Sequence, residues 1–203
     1  MTILKWVLVV LGAYFLGCIQ TGVIISKLNH VDIRAKGSKS TGTTNVFRVM
    51  GAKASALTFA GDCVKGVLAC LAGNWLLGNA GASVAGIMVV VGHMLPVTSG
   101  FKGGKGVATS IGTSIVLNPL LGLGLMAGGL VGVAITRVVS IFSIVCLILF
   151  GLINPFCCGG DVFEIVYSIA LALLVTWAHR SNIKRLIDGT EMNNRLDFSR
   201  KKK

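Results

Sequence analysis

The sequence predicts an all-α polytopic membrane protein of about seven transmembrane helices, and three observations predict it. Hydrophobic residues make up 54% of the 203 positions and charged residues only 13%, where a soluble domain carries roughly 25% charge. The apolar residues fall in long runs, near 4–26, 54–78, 82–99, 107–117, 120–136, 138–153 and 162–178. The basic residues fall in alternate gaps between those runs. Glycine is abundant at 27 residues, and small residues let helices approach closely in lipid, where no water-driven force brings them together.

The first run is longer than the apolar core of a signal peptide and lacks a small-residue cleavage site, so it reads as a retained helix. The second and third runs are separated around Asn79. The fourth is short and breaks at Asn118-Pro119. The fourth and fifth are therefore two short spans or a re-entrant hairpin, and either choice returns the chain to the same side. The whole chain, 1–203, reads as one membrane domain.

The first long loop carries Lys27, Arg34, Lys36, Lys39, Arg48 and Lys53. The loop after the third run carries Lys102 and Lys105. Arg137 separates the fifth and sixth runs, and Arg180, Lys184, Arg185, Arg195 and the tail Arg200-Lys201-Lys202-Lys203 follow the seventh. Alternation through the spans puts all of these on one face, and the positive-inside rule makes that face cytoplasmic. The N-terminus is then periplasmic and the C-terminus cytoplasmic. The net charge of +12 is accounted for by this bias and by a tail suited to anionic headgroups. Nucleic acid is excluded as a partner, because no soluble basic module is long enough to fold. The six cysteines include no C-x-x-C pair; most lie inside apolar runs and read as small core residues, while Cys157-Cys158 falls in a predicted external loop.

Three polar stretches stand out, all on the predicted cytoplasmic face. The first is Gly37-Ser38-Lys39-Ser40-Thr41-Gly42-Thr43-Thr44-Asn45-Val46-Phe47-Arg48. Its glycines free the backbone to form an anion-binding concavity, its hydroxyls add neutral donors, and Arg48 adds a planar fork for phosphate. The second is Gly92-His93-Met94-Leu95-Pro96, followed by Phe101-Lys102-Gly103-Gly104-Lys105-Gly106-Val107. Glycines interleaved with lysines before a helix suit a phosphate at a helix N-terminus. A nucleotide-binding Walker loop would need Gly at 99 and Ser or Thr at 106, where this chain has Ser99 and Gly106. The third runs from His179 through Asn182 to Glu191, with Ile183, Leu186 and Ile187 at the spacing of an interfacial amphipathic helix. Asp62 and Lys65, three apart near the start of the second run, read as an intramembrane ion pair.

Absences narrow the chemistry. The chain has no G-x-S-x-G nucleophile elbow, no H-x-x-x-x-D pattern and no metal-ligand spacing, so neither a serine nucleophile nor a metal is expected. An organic-phosphate transporter is the alternative reading. It would place polar groups deep in several spans and often carries an inverted repeat, and no such repeat is evident.

Taken together, these residues resemble the bacterial acyl-phosphate:glycerol-3-phosphate acyltransferases. Three motifs of that family match in order: Gly37-Ser38, Gly42, Thr44-Asn45 and Arg48; Gly92-His93, Pro96 and Phe101 to Thr109; His179, Asn182-Ile183, Arg185-Leu186, Gly189 and Glu191. Lys39-Ser40 and Gln20 depart from the family pattern. The resemblance implies an inner-membrane enzyme, active on its cytoplasmic side, that moves an acyl group from acyl phosphate to glycerol 3-phosphate and yields lysophosphatidate. It implies no cofactor. Its implied partners are the two substrates, membrane lipids and the soluble enzyme that makes acyl phosphate. Lys102, Gly103, Gly104, Lys105 and Arg48 are expected to hold phosphates, with Ser38, Thr44 and Asn45 completing the cradle. Asn182 is expected to serve the oxyanion. The hydroxyl proton is expected to go to His179, to His93 or to the substrate's own phosphate.

Overall fold

The computed structural model describes residues 1–191 together with Arg195 and Leu196; the basic tail at 200–203 lies outside the described residues. Among the described residues the structure is entirely helical: α1 Thr2–Cys18, α2 Thr21–Leu28, α3 Thr43–Met50, α4 Ala52–Met94, α5 Val107–Leu117, α6 Pro119–Thr136, α7 Val139–Cys157, α8 Val162–Ala178 and α9 Arg180–Ile187, with a 3-10 turn at Val97–Ser99. Four helical stretches are long and apolar enough to cross a membrane, and five if α8 and α9, bent by 61°, count as one.

The longest of these is a hairpin. Leu77 and Gly78 leave helical geometry in the middle of α4, Gly78 at φ +64, a conformation that glycine adopts without steric cost. The two halves then fold back on each other. The backbones of Gly73 and Gly81 meet so closely that a side chain on either would collide. Asp62 and His93 come within 3.6 Å. The expected boundary between the second and third apolar runs is therefore a tight turn next to Asn79.

The expected break at Asn118-Pro119 is also present. Asn118 caps α6 by accepting from the Leu121 N–H at 3.1 Å, and Pro119 opens the helix, where its missing N–H costs nothing. α5 is short, at 11 residues, and its backbone at Ser114 lies against Gly122 of α6.

The outer surface is apolar, unlike that of a water-soluble protein. Leu8, Leu11, Phe15, Leu68, Leu71, Val131, Ile135, Leu152, Val166 and Leu173 are exposed, as a lipid-facing surface requires. The interior holds small residues, a core of Val89, Val90, Phe150, Tyr167 and Leu171, and polar groups, most of them paired. At the end of the bundle remote from the three polar stretches, Asn154 Nδ2 donates to Glu164 Oε1 (3.1 Å) and Ser168 Oγ (2.7 Å), and its Oδ1 accepts from Asn118 (2.7 Å). Asn79 extends the cluster to Glu164 and Asp161. This knot fastens the end of α7 and the start of α8 to the starts of α6 and of the second half of α4. Every member is satisfied, as buried polar groups must be.

Candidate active site

The three polar stretches meet. Together with α5, α6 and α7 they line one cavity of about 530 Å³. One end is polar, formed by Ser38, Thr44, Arg48, Lys105, His179, Asn182, Arg185 and Glu191. The other end is an apolar arm between α5, α6 and α7, walled by Ile111, Leu125, Met126, Val133, Phe142 and Phe150 among others.

The first stretch is shaped from inside by Asn45. Its Nδ2 donates to the carbonyls of Ile33 (3.2 Å), Lys36 (3.1 Å) and Ser40 (2.8 Å), and its Oδ1 accepts from the Ser38 N–H at 2.8 Å. Asn45, which also borders the cavity, is thus the scaffold of the loop and sets the groups around it. Those are Ser38, Ser40 and the start of α3, where Gly42 provides no side-chain cap. The first N–H groups of α3 and of α5 lack helical partners, and Thr43, Thr44, Val107 and Ala108 line the cavity. Two helix N-termini therefore point their partial positive charge at one space.

The glycine–lysine loop contributes less directly than expected. Lys105 lines the cavity, but Lys102 is exposed and Gly103 and Gly104 lie outside the lining. The two glycines pass beneath His93, where the Gly104 N–H donates to the His93 carbonyl (3.1 Å) and the Gly103 N–H to that of Met94 (3.2 Å). A Cβ on either would collide with His93, at its carbonyl for Gly103 and at its ring for Gly104. Their role is close approach.

Lys105 Nζ donates to Asn182 Oδ1, and Asn182 Nδ2 donates to Glu191 Oε1 at 2.7 Å. Glu191 also accepts from Ser140 (2.6 Å) and pairs with Arg185 (2.6 Å). Burial acts to raise the Glu191 carboxyl, but the hydrogen bonds from Ser140, Arg185 and Asn182 outweigh it and hold the group below its usual range. Lys105 is pushed down to about 8: burial is the main cause, Arg185 and Arg48 add to it, and Glu191 opposes them. Burial also lowers Arg48, with Glu191 opposing and Arg185 adding. Three cations around one carboxylate leave the polar end electropositive, as a site for anions requires.

The two histidines differ. His179 Nδ1 lies 2.8 Å from the Val175 carbonyl, so that nitrogen carries the ring proton and Nε2 is a bare acceptor. Burial first, and then the Lys105 charge, push His179 down to about 4. His93 Nδ1 lies 2.8 Å from the Lys65 ammonium, which offers only hydrogens, so the His93 proton sits on Nε2. Asp62 and Lys65 form the expected ion pair at 2.9 Å.

Sequence reasoning missed Ser140, a lone polar residue with no local pattern to mark it, and noted Gln20 only as a departure from the family pattern. Arg185 and Glu191 were visible as motif residues but not as cavity walls. In each case only the tertiary contact shows the role.

A family model described as glycerol-3-phosphate acyltransferase matches residues 7–189. A relative of that description from Thermoanaerobacter pseudethanolicus is 47% identical over 187 residues, covering 91% of this chain and 93% of the relative. One from Clostridioides difficile is 39% identical over 201 residues, covering 94% and 96%. Among solved structures the chain is similar to PlsY (YgiH), an integral membrane glycerol 3-phosphate acyltransferase. Its glycerol 3-phosphate form superposes with a TM-score of 0.85 at 37% identity, covering 91% of this chain and 92% of that one. Its lysophosphatidic acid form gives 0.83 at 36%. With an all-helical fold, an electropositive pocket built from three distant motifs, and relatives matched over nine-tenths of their length, the chain belongs to the glycerol-3-phosphate acyltransferase family.

Proposed function

We infer that this protein transfers an acyl group from acyl phosphate to the hydroxyl of glycerol 3-phosphate, releasing phosphate and lysophosphatidate. The observation that carries the reading is the two-part cavity. Its polar end gathers Arg48, Lys105 and Arg185 with the N-termini of α3 and α5, enough for two phosphate groups. Its apolar arm follows α7 from Val139 to Phe150, about 16 Å at helix rise. That is about half of the roughly 30 Å hydrocarbon core of a bilayer, the length of one membrane acyl chain.

The donor is a mixed anhydride and already activated, so no protein nucleophile is needed. The acceptor hydroxyl oxygen attacks the acyl carbon, and the bond from that carbon to the phosphate oxygen breaks. The protein contributes positioning and charge stabilisation. Lys105 and Arg48 hold the phosphates, and Ser38 and Thr44 add neutral donors. Asn182 donates one amide hydrogen to Glu191 and directs the other toward the developing oxyanion. His93 is set apart from base catalysis by its Nε2 proton. Burial and the Lys105 charge push His179 down to about 4, which weakens it as a proton acceptor. In this mechanism a phosphate oxygen takes the proton, while His179 Nε2, the free ring acceptor, takes a hydrogen bond from the hydroxyl and aims it.

Seven apolar passes follow if the α4 hairpin crosses twice and α5 crosses once, with the N-terminus periplasmic and the site at the cytoplasmic boundary of a bacterial inner membrane. The aromatic residues agree with that slab. Trp6 stacks on Phe163 with centroids 6.0 Å apart near the remote end, where Trp75 is also exposed, and Trp177 lies under Arg180 at 4.5 Å near the site end. Such belts mark the two interfaces. A cytoplasmic opening would admit acyl phosphate from the soluble enzyme that makes it. The decisive experiment incubates purified protein with acyl phosphate and glycerol 3-phosphate, with acyl-CoA as donor in parallel. Lysophosphatidate from acyl phosphate alone is expected. No product from either donor would leave the transporter reading.

A further inference from the structure

Beside the cavity, which Asp62 and His93 border, lies a buried ionic cluster that the transfer chemistry does not use. α1 ends at Cys18, and Ile19 and Gln20 are extended before α2 begins. Such a break strands carbonyls of the last helical turn. Lys65, arriving from α4, fills the gap. Its Nζ donates to the carbonyls of Gly17 (3.1 Å) and Ile19 (2.6 Å) and lies 2.9 Å from Asp62 Oδ1 and 2.8 Å from His93 Nδ1. Thr21 donates to the same Asp62 oxygen at 3.0 Å. Lys65 is 4% exposed, Asp62 1% and His93 3%. An ion pair so deep is no cheap source of stability, because apolar residues of the same volume serve as well or better. Its presence points to a role in geometry.

That geometry runs through His93. Asp62 Oδ1 is 3.6 Å from His93 Nδ1, too far to take a proton from it, while the ammonium is close enough to donate. The ring therefore holds its proton on Nε2, the atom that a Cβ on Gly104 would strike. The His93 carbonyl bears the Gly104 N–H and also accepts from Gln20 Nε2 at 3.0 Å. Gln20 Oε1 in turn accepts from Thr41 of the first loop at 2.8 Å. One residue thus supports the glycine turn that carries Lys105 and, through Gln20, the loop that carries Ser38.

We propose that Lys65 is a positioning residue of the reaction. By donating to His93 Nδ1 it fixes the ring with its proton on Nε2, and so sets the Gly103–Gly104 turn and Lys105 against the phosphate of the acceptor. This rests on the acyl-transfer reading above and adds to it a residue that touches neither substrate.

The test uses the full chain in lipid nanodiscs with ring-15N histidine. Wild-type protein is expected to show a bare Nδ1 and a protonated Nε2 at His93, identified by loss of its signals in His93→Gln. Lys65→Met is expected to disturb that signature and raise KM for glycerol 3-phosphate roughly ten- to a hundredfold, the scale of a small misplacement in a site, with a smaller change in kcat. Lys65→Gln keeps an amide donor and is expected to recover most of the loss. A residue that merely filled the core would lower the folded fraction and apparent kcat and leave KM alone. A wild-type His93 proton on Nδ1, or an unchanged KM in Lys65→Met, overturns the proposal. The wild-type spectrum decides even if the variant fails to insert. Absence of transfer by wild type would instead sink the acyl-transfer reading, with the nitrogen signature still readable.

Discussion

His93 and His179 line the same cavity with their protons on opposite ring nitrogens. His93 Nδ1 accepts from the Lys65 ammonium, and His179 Nδ1 donates to the Val175 carbonyl, each at 2.8 Å. Of the two, only His179 presents a ring acceptor to the polar end. On the proposal that it aims the hydroxyl while a phosphate takes the proton, His179→Gln, which keeps an acceptor oxygen, should retain at least about tenfold more kcat than His179→Ala. General bases contribute roughly a hundredfold or more, so equal, near-total loss in both variants would make the ring itself the base. Steady-state kinetics on purified variants checks this.

Lys105 gives the pH dependence its alkaline side. Its ammonium, lowered to about 8, is charged below that value and loses its proton above it. The affinity of the free enzyme for a phosphate should therefore fall as pH rises through about 8, seen as a drop in kcat/KM for glycerol 3-phosphate. In Lys105→Arg the limb should vanish from the accessible range, since a guanidinium stays charged. Lys105→Met should lose about a hundredfold or more below pH 8, as loss of one preorganised donor does, and the gap from wild type should narrow as pH rises above that value. An unmoved limb in Lys105→Arg would assign it to another group.

Glycines separate by what surrounds them. Gly104→Ala drives a methyl into the His93 ring, whereas no atom lies within 4 Å of a Cβ on Gly124. Gly104→Ala should cut kcat/KM more than about tenfold. Gly124→Ala, inside α6, should leave activity intact and stabilise the protein by about 0.5–1 kcal/mol. Paired assays of activity and thermal unfolding test the contrast.

The apolar arm should be adjustable at Gly132. A Cβ there collides with the Phe142 ring, which forms part of the arm's wall. Gly132→Ala should push that ring inward and move preference from palmitoyl toward decanoyl phosphate, by about tenfold in relative kcat/KM, since each methylene lost from burial is worth roughly 0.8 kcal/mol. Competition between the two donors, read by mass spectrometry of the product, measures it.

The remote polar knot is a stability element. Asn154→Leu removes hydrogen bonds to Glu164, Ser168 and Asn118. At about 0.6 kcal/mol for each interhelical bond in a membrane, the loss should be roughly 2 kcal/mol. The KM values should not change.

Much of this was legible in the residues alone. Apolar runs and the Asn118-Pro119 break follow from local composition, because lipid leaves the backbone few alternatives to helix. The three motifs were visible because phosphate chemistry needs glycines and cations close together in sequence. The roles inside them were not. Lys102 and Lys105 look equivalent in the chain, yet one faces solvent and the other lines the cavity. Asn45 reads as a ligand, and its bracing of the loop shows only in the fold. The pairing of Asp62 and Lys65 followed from their spacing, but the third partner, His93, comes from the far arm of a hairpin whose turn at Gly78 had no signal beyond Asn79.

Leu130 is 56% exposed on the outer surface and also borders the apolar arm, so the arm is partly open to the bilayer through its side. A product whose tail already rests against neighbouring lipids has no aqueous barrier to cross on leaving. It can slip out in the plane of the leaflet, head and tail together, and is released directly into the two-dimensional pool where the next lipid-modifying step takes place.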